Sequence, residues 1–335
     1  MTGLIVAGFH RSGTSSVAQQ LANCGLSLGD DLIGANEFNR FGHFEDWPVV
    51  RFHDAILARN DADWARVPDG PIDFTPEEAQ WARDYCAARD AKEPVWAVKD
   101  PRMCRFMRQW RAEVPGLKFL VVYRHPVATS QSLNRRSALW MARSHNTDNI
   151  ARRFYHDPDL ALKLWIEHNL HLLDLLAEYP DDCVVLGHHH ILAGINPLQV
   201  AEDRLGLSLG ADTATTTIDH TALSKKEPVL PVCDSTLIAP VLDIWQKLED
   251  ADWATAQGHP REEIASALVH DPTGLKTRAG MADVQLAEIY KSPIGDLSVL
   301  KGAKAVAEKI SRPPFSLYFM RKKKYRDFVE KVTNR

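Results

Sequence analysis

The chain of 335 residues carries 40 Lys+Arg against 44 Asp+Glu, with 45% hydrophobic and 25% charged residues. That length suits one large α/β domain or two smaller ones, and the ordinary composition excludes a disordered, collagen-like or disulfide-framework protein. The net charge of −4 gives no whole-chain reason to expect a nucleic-acid partner. Its distribution is uneven: residues 309–335 hold nine Lys/Arg against Asp327 and Glu330, a local charge of +7, so the remainder carries −11.

The five cysteines (Cys24, Cys86, Cys104, Cys183, Cys233) are widely spaced and include no C-x-x-C pair, so neither a zinc site nor a disulfide framework is indicated. Reduced thiols of a cytoplasmic protein are expected. The apolar start, Met1 to Gly8, lacks a basic flank and is shorter than a signal-peptide core. No uninterrupted apolar run approaches the roughly 20 residues of a membrane span. A cytoplasmic location is expected, at most peripheral at the inner membrane face.

Leu4-Ile-Val-Ala7 is an unalternating apolar run, the pattern of a strand buried on both faces. Thr14 to Cys24 is helix-compatible, with Val17 and Leu21 four apart and Gly25 as a stop. Gly34 to Trp47 reads as a loop rich in Gly, Asn and aromatics. A helix opens at Thr75-Pro-Glu-Glu78, where Thr75 can cap and Pro76 suits the first turn. Val95–Val98 and Lys118–Tyr123 are predicted as further buried strands. Asp157-Pro158 opens a long amphipathic helix with Leu162, Ile166, Leu170, Leu173 and Leu176 on one stripe, ending at Pro180. Cys183–Leu186 reads as a strand and Pro197–Leu205 as a helix.

Strands alternating with helices imply an α/β fold, three layers α/β/α around a central parallel sheet, P-loop NTPase-like. Ligands in such sheets bind at the carboxyl ends of the strands. The alternation weakens beyond about Gly210. Residues 1–254 are expected to form one domain, with 255–335 a C-terminal extension, helical and basic at its end.

The strongest local signal is Gly8-Phe-His-Arg-Ser-Gly13-Thr-Ser15, between the first strand and the first helix. Gly8 and Gly13 have the spacing of a Walker A loop and Ser15 its final hydroxyl, but Thr14 occupies the lysine position. Glycines let backbone N–H groups converge on anionic oxygens at a helix N-terminus. The side-chain cation has moved inside the loop, to Arg11, with His10 beside it. This argues against an ordinary ATPase or GTPase and keeps the anion site. The competing reading is a turn whose hydroxyls (Ser12, Thr14, Ser15, Ser16) merely cap the helix. A second candidate anion site follows the Lys118–Tyr123 strand: Arg124-His-Pro126 opens a new helix, with Ser132 eight residues after Arg124.

Together these segments resemble the two cofactor signatures of sulfotransferases that use 3′-phosphoadenosine 5′-phosphosulfate. His10-Arg11-Ser12-Gly13-Thr14-Ser15 is similar to the family's P-[KR]-S-G-T-[TS], with His where many members have Pro; Arg124 and Ser132 match the second signature and its spacing. Phe41-Gly-His-Phe-Glu45 and Lys99-Asp-Pro-Arg102 look like segments of the bacterial members, and Gly194 to Leu207 is a weaker match. The resemblance covers roughly residues 1–210 and finds no counterpart for 255–335.

The resemblance implies that His10, Arg11, Ser12, Gly13, Thr14 and Ser15 grip the 5′-phosphosulfate, and Arg124 with Ser132 the 3′-phosphate. A sulfuryl group would pass to an acceptor hydroxyl or amine by positioning and electrostatics, with no metal required. The implied base is Glu45, with His43 the alternative, since an imidazole pKa of about 6.5 suits proton abstraction. A surface carboxylate beside Arg40 or Arg51 is the competing reading of Glu45. Lys99 and Arg102 are candidate contacts to the sulfuryl group or acceptor, against which stands a salt bridge to Asp100. Asp100 also reads as a Walker B-like acid. His188-His-His190 is not expected to bind metal, because adjacent residues at a strand end point in different directions.

Of nine tryptophans most are expected in the core, and Trp47, beside Glu45, is the one expected near the acceptor. The acceptor is a small molecule, a glycan or a lipid. Residues 313–326 run from Pro and aromatics into a cation cluster, which suits either an anionic membrane surface or a helix docked by its aromatics with solvated lysines. Two other functions fit parts of the pattern. A P-loop nucleotide kinase or hydrolase is favoured by Asp100 and the Gly8/Gly13 spacing. A non-catalytic binder of adenosine 3′,5′-bisphosphate needs only the anion site.

Overall fold

The structure is a computed structural model that describes residues 2–35, 42–143, 149–211 and 229–291, and then positions 304, 307, 308, 311, 323, 326, 327, 329 and 330. The fold is α/β with a central parallel sheet. Its strands are β1 (Thr2–Ala7), β2 (Val95–Lys99), β3 (Lys118–Tyr123) and β4 (Cys183–Gly187), in the spatial order β2-β1-β3-β4. All neighbours are parallel, so each junction needs a crossover, and helices supply them.

The chain first crosses from β1 to β2 on one side and then to β3 on the other. The order therefore reverses between β1 and β3, where a crevice opens at the strand ends. Leu4, Val6, Leu120, Val122 and Leu186 are all buried, which is why these strands read as unbroken apolar runs.

Helices α1 (Thr14–Asn23), α2 (Trp47–Arg59), α3 (Pro76–Asp90) and α4 (Met107–Glu113) lie in the first half of the chain. Thr75 and Glu78 form the reciprocal capping box of α3. Helix α2 falls just beyond the predicted Gly34–Trp47 loop and was not among the expected elements. Its signals were Pro48 in the first turn and Val49, Val50, His53, Ile56 and Leu57 on one buried face. Phe52 stacks on Trp81 with centroids 4.1 Å apart, and Phe74, Tyr85, Phe106 and Trp110 complete an aromatic core beside the sheet.

Helix α5 (Pro126–Arg143) follows β3, then come α6 (Asn149–His156) and α7 (Leu160–Glu178). The long helix starts at Leu160, later than Asp157-Pro158 suggested. Its expected stripe is also displaced: Leu170 is 45% exposed, while Leu164, Trp165, His168, Asn169, Leu172 and Leu175 are buried. Two polar residues of this face bond the preceding turn of their own helix. His168 Nδ1 pairs with the Leu164 carbonyl at 2.9 Å and Asn169 Nδ2 donates to the Trp165 carbonyl at 2.7 Å, so two polar residues enter the packed face. After β4 come α8 (His188–Leu192), α9 (Pro197–Leu205), β5 (Leu230–Val232), α10 (Ile238–Ala251), α11 (Trp253–Ala256), β6 (Leu268–His270) and α12 (Leu275–Lys291).

The chain divides into two compact units that interleave in sequence. The first comprises Met1–Thr129, Leu164–Lys225 and Ala239–Ile264 and holds the four-stranded sheet. The second comprises Ser130–Lys163, Lys226–Ile238 and Ala265–Arg335 and holds the parallel pair β5–β6. Within it, both Asp159 carboxylate oxygens accept backbone N–H groups of Cys233 and Asp234. Among the described residues no helix is long and apolar enough to cross a membrane. None of the five cysteines is in a disulfide.

Candidate functional site

The parallel sheet delivers four chemically active segments to one edge of the first unit. Gly8 to Ser15 follows β1, Asp100 follows β2, Arg124 follows β3 and His188 follows β4. Val6 pairs with Lys99 in the β1–β2 register, which puts Lys99 beside the last residues before the glycine turn. The turn and Arg124 flank the β1/β3 crevice.

The turn is unusual in its backbone. Arg11 has φ 69° and Gly13 φ 97°, so a non-glycine residue sits in the left-handed region, at a cost of about 1–3 kcal/mol. Such turns aim successive N–H groups into a concavity suited to an anion. Gly13 is the N-cap of α1, so the cap position itself offers no side chain to the first N–H groups of the helix. Ser12 Oγ is buried, the residue being 1% exposed, and has no hydrogen-bond partner among the described residues.

Arg124 closes the turn from the other strand: its Nη1 donates to the Arg11 carbonyl at 2.8 Å. Trp165 Nε1 in turn donates to the Arg124 carbonyl at 3.0 Å. Burial, and then the charge of Arg11, lower the Arg124 pKa to about 10. Burial also lowers that of Arg11. Two neighbouring arginines, each partly withdrawn from water, would be relieved by an anion.

Gly8 is required by close approach. A Cβ there would lie 2.3 Å from the Val122 carbonyl oxygen, which is backbone and cannot yield. Gly8→Ala is therefore expected to destabilise the fold by about 1–3 kcal/mol, read as a lower urea midpoint with unchanged slope. A Cβ on Gly13 would meet His188 Cδ2 at 2.3 Å, so this histidine packs directly under the turn.

The second cluster is built on the Gly42–Asp46 segment. Ile33 N donates to the Glu45 carbonyl at 2.8 Å and His43 N to the Ile33 carbonyl at 3.3 Å, pairing the segment with 31–33. Asp46 pins its end by accepting from Asp31 N and the Tyr85 hydroxyl. Phe44 has φ 55°, a second non-glycine residue in the left-handed region, which turns Glu45 inward. Glu45 is 7% exposed and is no surface carboxylate beside Arg51; Lys99 Nζ lies 2.6 Å from its Oε1, Arg102 Nη1 3.7 Å from Oε2, and His43 Nδ1 3.8 Å from Oε1.

Lys99 Nζ also donates to the His43 carbonyl at 3.1 Å, so one ammonium fixes both candidate bases. Burial pushes the Glu45 carboxyl up, but Lys99, His43 and Arg102 outweigh it and its pKa ends below the ordinary 4.5. Glu45 is thus an ionised, firmly held carboxylate with little basicity.

Behind it Asp100, wholly buried, is fully engaged. Its Oδ1 accepts from Arg102 Nη1 and N at 3.0 Å and its Oδ2 lies 2.8 Å from His53 Nδ1. Trp110 Nε1 donates to His53 Nε2 at 3.0 Å, so the His53 proton is on Nδ1 and points at Asp100. These contacts leave no open Asp100 oxygen of the kind a Walker B-like acid uses. Arg102 also bridges Asp54 at 2.6 Å.

The structure thus brings together Arg11, Ser12, Gly13, Thr14 and Ser15 with Arg124, and separately His43, Glu45, Lys99 and Arg102. His10 turns toward Trp64, with ring centroids 4.7 Å apart, and Phe9. Ser132 is on α5 beyond Thr129, where the second unit begins. Trp47 opens α2, is 37% exposed and lies under the Arg51 guanidinium at 5.3 Å. Of the membrane-surface stretch 313–326, only 323 and 326 are described, both exposed; the rest lies outside the described residues.

The sequence reading missed His188, His53 and Trp64 as neighbours of these clusters. A histidine directly after a buried strand was the available signal for His188; nothing local marks the other two. The expectation for His188-His-His190 rested on a strand end, whereas all three begin helix α8. Compared with models of known protein families and with curated proteins, the chain matches none.

Proposed function

We propose that the protein is a sulfotransferase that moves a sulfuryl group from 3′-phosphoadenosine 5′-phosphosulfate to an acceptor hydroxyl or amine, on a three-layer fold of P-loop NTPase type. The observation that carries this reading is the Arg11–Arg124 pair, two half-buried arginines at the glycine-capped N-terminus of α1 beside the sheet's switch point. Backbone N–H groups at the start of α1, Ser12 Oγ and both arginines supply donors for a dianionic group. They would also stabilise charge growing on the leaving phosphate as the S–O bond breaks. The missing lysine at Thr14 and the engaged oxygens of Asp100 favour this over a magnesium-dependent nucleotide kinase.

In this reading His43, more exposed than Glu45 and resting against it, takes the acceptor proton, and Glu45 orients it and stabilises the imidazolium. Lys99 and Arg102 act as positioning residues. Cysteines outside disulfides suit a reducing compartment. The acceptor is a small molecule, glycan or lipid, with Trp47 an exposed ring at the entrance to α2.

Thermal shift tests the reading directly. Adenosine 3′,5′-bisphosphate without metal, at a hundred times its Kd, is expected to stabilise the protein by about 2.7 kcal/mol; stabilisation by Mg-ATP alone overturns it. With a labelled sulfuryl donor and a panel of acceptors, His43→Asn is expected to lower turnover about a hundred- to ten-thousandfold while the thermal shift persists. Unchanged turnover in His43→Asn removes the base assignment.

A further inference from the structure

We propose that His189, His190 and Glu249 form a three-ligand site for a divalent transition metal of the zinc(II) type, with its fourth position open to water. The two histidines open α8 directly after β4, and Glu249 comes from α10. Although adjacent in sequence, their rings lie 3.9 Å apart because the chain turns from strand to helix at Gly187. One ligand atom from each of the three residues lies within 4.8 Å of the others, and His189 Nε2 is 3.5 Å from Glu249 Oε1. Tetrahedral zinc with bonds of about 2.0–2.2 Å separates its ligand atoms by about 3.4 Å, a closure that side-chain rotation can supply.

Two further observations point the same way. Glu249 is 1% exposed, and it accepts hydrogen bonds from neutral hydroxyls, Tyr123 at 3.0 Å and Thr255 at 3.4 Å. Among the described residues no lysine or arginine reaches it within 4 Å, and a buried carboxylate calls for a cation. Behind the imidazoles stand carboxylates: Glu262 Oε2 lies 3.9 Å from His189 Nδ1, opposite the nitrogen that faces Glu249, and Asp252 Oδ1 lies 3.7 Å from His190 Nε2. Carboxylates in this outer position orient and strengthen histidine ligands. Asp252 is itself fixed by the backbone N–H groups of Gly187, Ala254 and Thr255. The donor set of two imidazoles and one carboxylate suits zinc rather than magnesium or calcium. Such an ion would join α8 to α10 and steady His188, which packs under Gly13 of the turn.

The test uses the full chain without a histidine tag, stripped with chelator and titrated with zinc chloride alone by calorimetry and thermal shift. One zinc per chain and a raised Tm are expected. Glu249→Gln and His189→Ala should each weaken binding by at least about a hundredfold, while His171→Ala, outside the cluster, binds as the parent does. No stoichiometric binding by the parent, or parent-like binding by Glu249→Gln and His189→Ala, overturns the site. Should both variants fail to fold, cobalt(II) with the unaltered chain decides: intense visible bands of a tetrahedral ion support the site, and the weak spectrum of an octahedral ion overturns it.

Discussion

Arg124→Ala is expected to weaken binding of adenosine 3′,5′-bisphosphate by about ten- to a hundredfold. A hydrogen bond to a charged group contributes about 1.5–3 kcal/mol, and each 1.4 kcal/mol is about tenfold in affinity. Two effects combine at this residue. Its guanidinium is a donor for a phosphate, and its Nη1 tethers the turn through the Arg11 carbonyl. Loss of the tether frees a backbone that is held in the left-handed region at Arg11. The single-phosphate ligand adenosine 5′-phosphate should therefore also bind less tightly to the variant, though the bisphosphate loses more. Arg124→Lys keeps the charge but lacks the planar fork that serves two acceptors at once, so it should recover only part of the affinity. Calorimetry of both ligands against parent and variants checks this. Equal affinity of parent and Arg124→Ala removes Arg124 from the anion site.

Lys99→Met is expected to cost about 3–5 kcal/mol of stability, because it leaves the buried Glu45 carboxylate without its nearest cation. Arg102, 3.7 Å away and already shared with Asp100 and Asp54, compensates only in part. The double variant Lys99→Met with Glu45→Gln should regain most of the loss, since an uncharged pair carries no such penalty. Urea unfolding of the two single variants and the double provides the coupling energy; additive losses overturn the buried pair as the cause.

Acid sharpens the same comparison. Glu45 and Asp100 titrate below their ordinary 4.5 and 3.8 in the folded protein; burial raises both, but Lys99 for Glu45, and Arg102 with His53 for Asp100, prevail. At a pH between folded and unfolded values the unfolded chain binds more protons. Their contribution is therefore present above about pH 4.5 and is lost as pH falls through the folded values. Removal of Lys99 raises the Glu45 pKa, so the variant should lose stability less steeply on acidification than the parent.

The strands were legible because a sheet buried on both faces demands unbroken apolar runs, and each predicted run appears within two residues of its expected bounds. Helix α3 was legible from its capping box, whose two bonds are local. The stripe of α7 was not. His168 Nδ1 and Asn169 Nδ2 bond carbonyls of the preceding turn, and both residues pass into a packed face where composition places leucines. The interleaved units were equally invisible, since contacts between segments far apart in the chain define them.

What the sequence by itself determined was the glycine turn with its displaced cation, the arginine at the end of a later strand, and the acidic and basic residues of Gly42–Glu45 and Lys99–Arg102. These follow from backbone conformation and strand burial, which act over a few residues. Only the tertiary structure decided that Lys99 holds both Glu45 and the His43 carbonyl, that Asp100 is locked by His53 and Arg102, and that Arg124 ties the turn. The physical reason is the parallel sheet. It carries the ends of four strands, separated by up to 180 residues of chain, to one edge, where burial makes each charge depend on its neighbours.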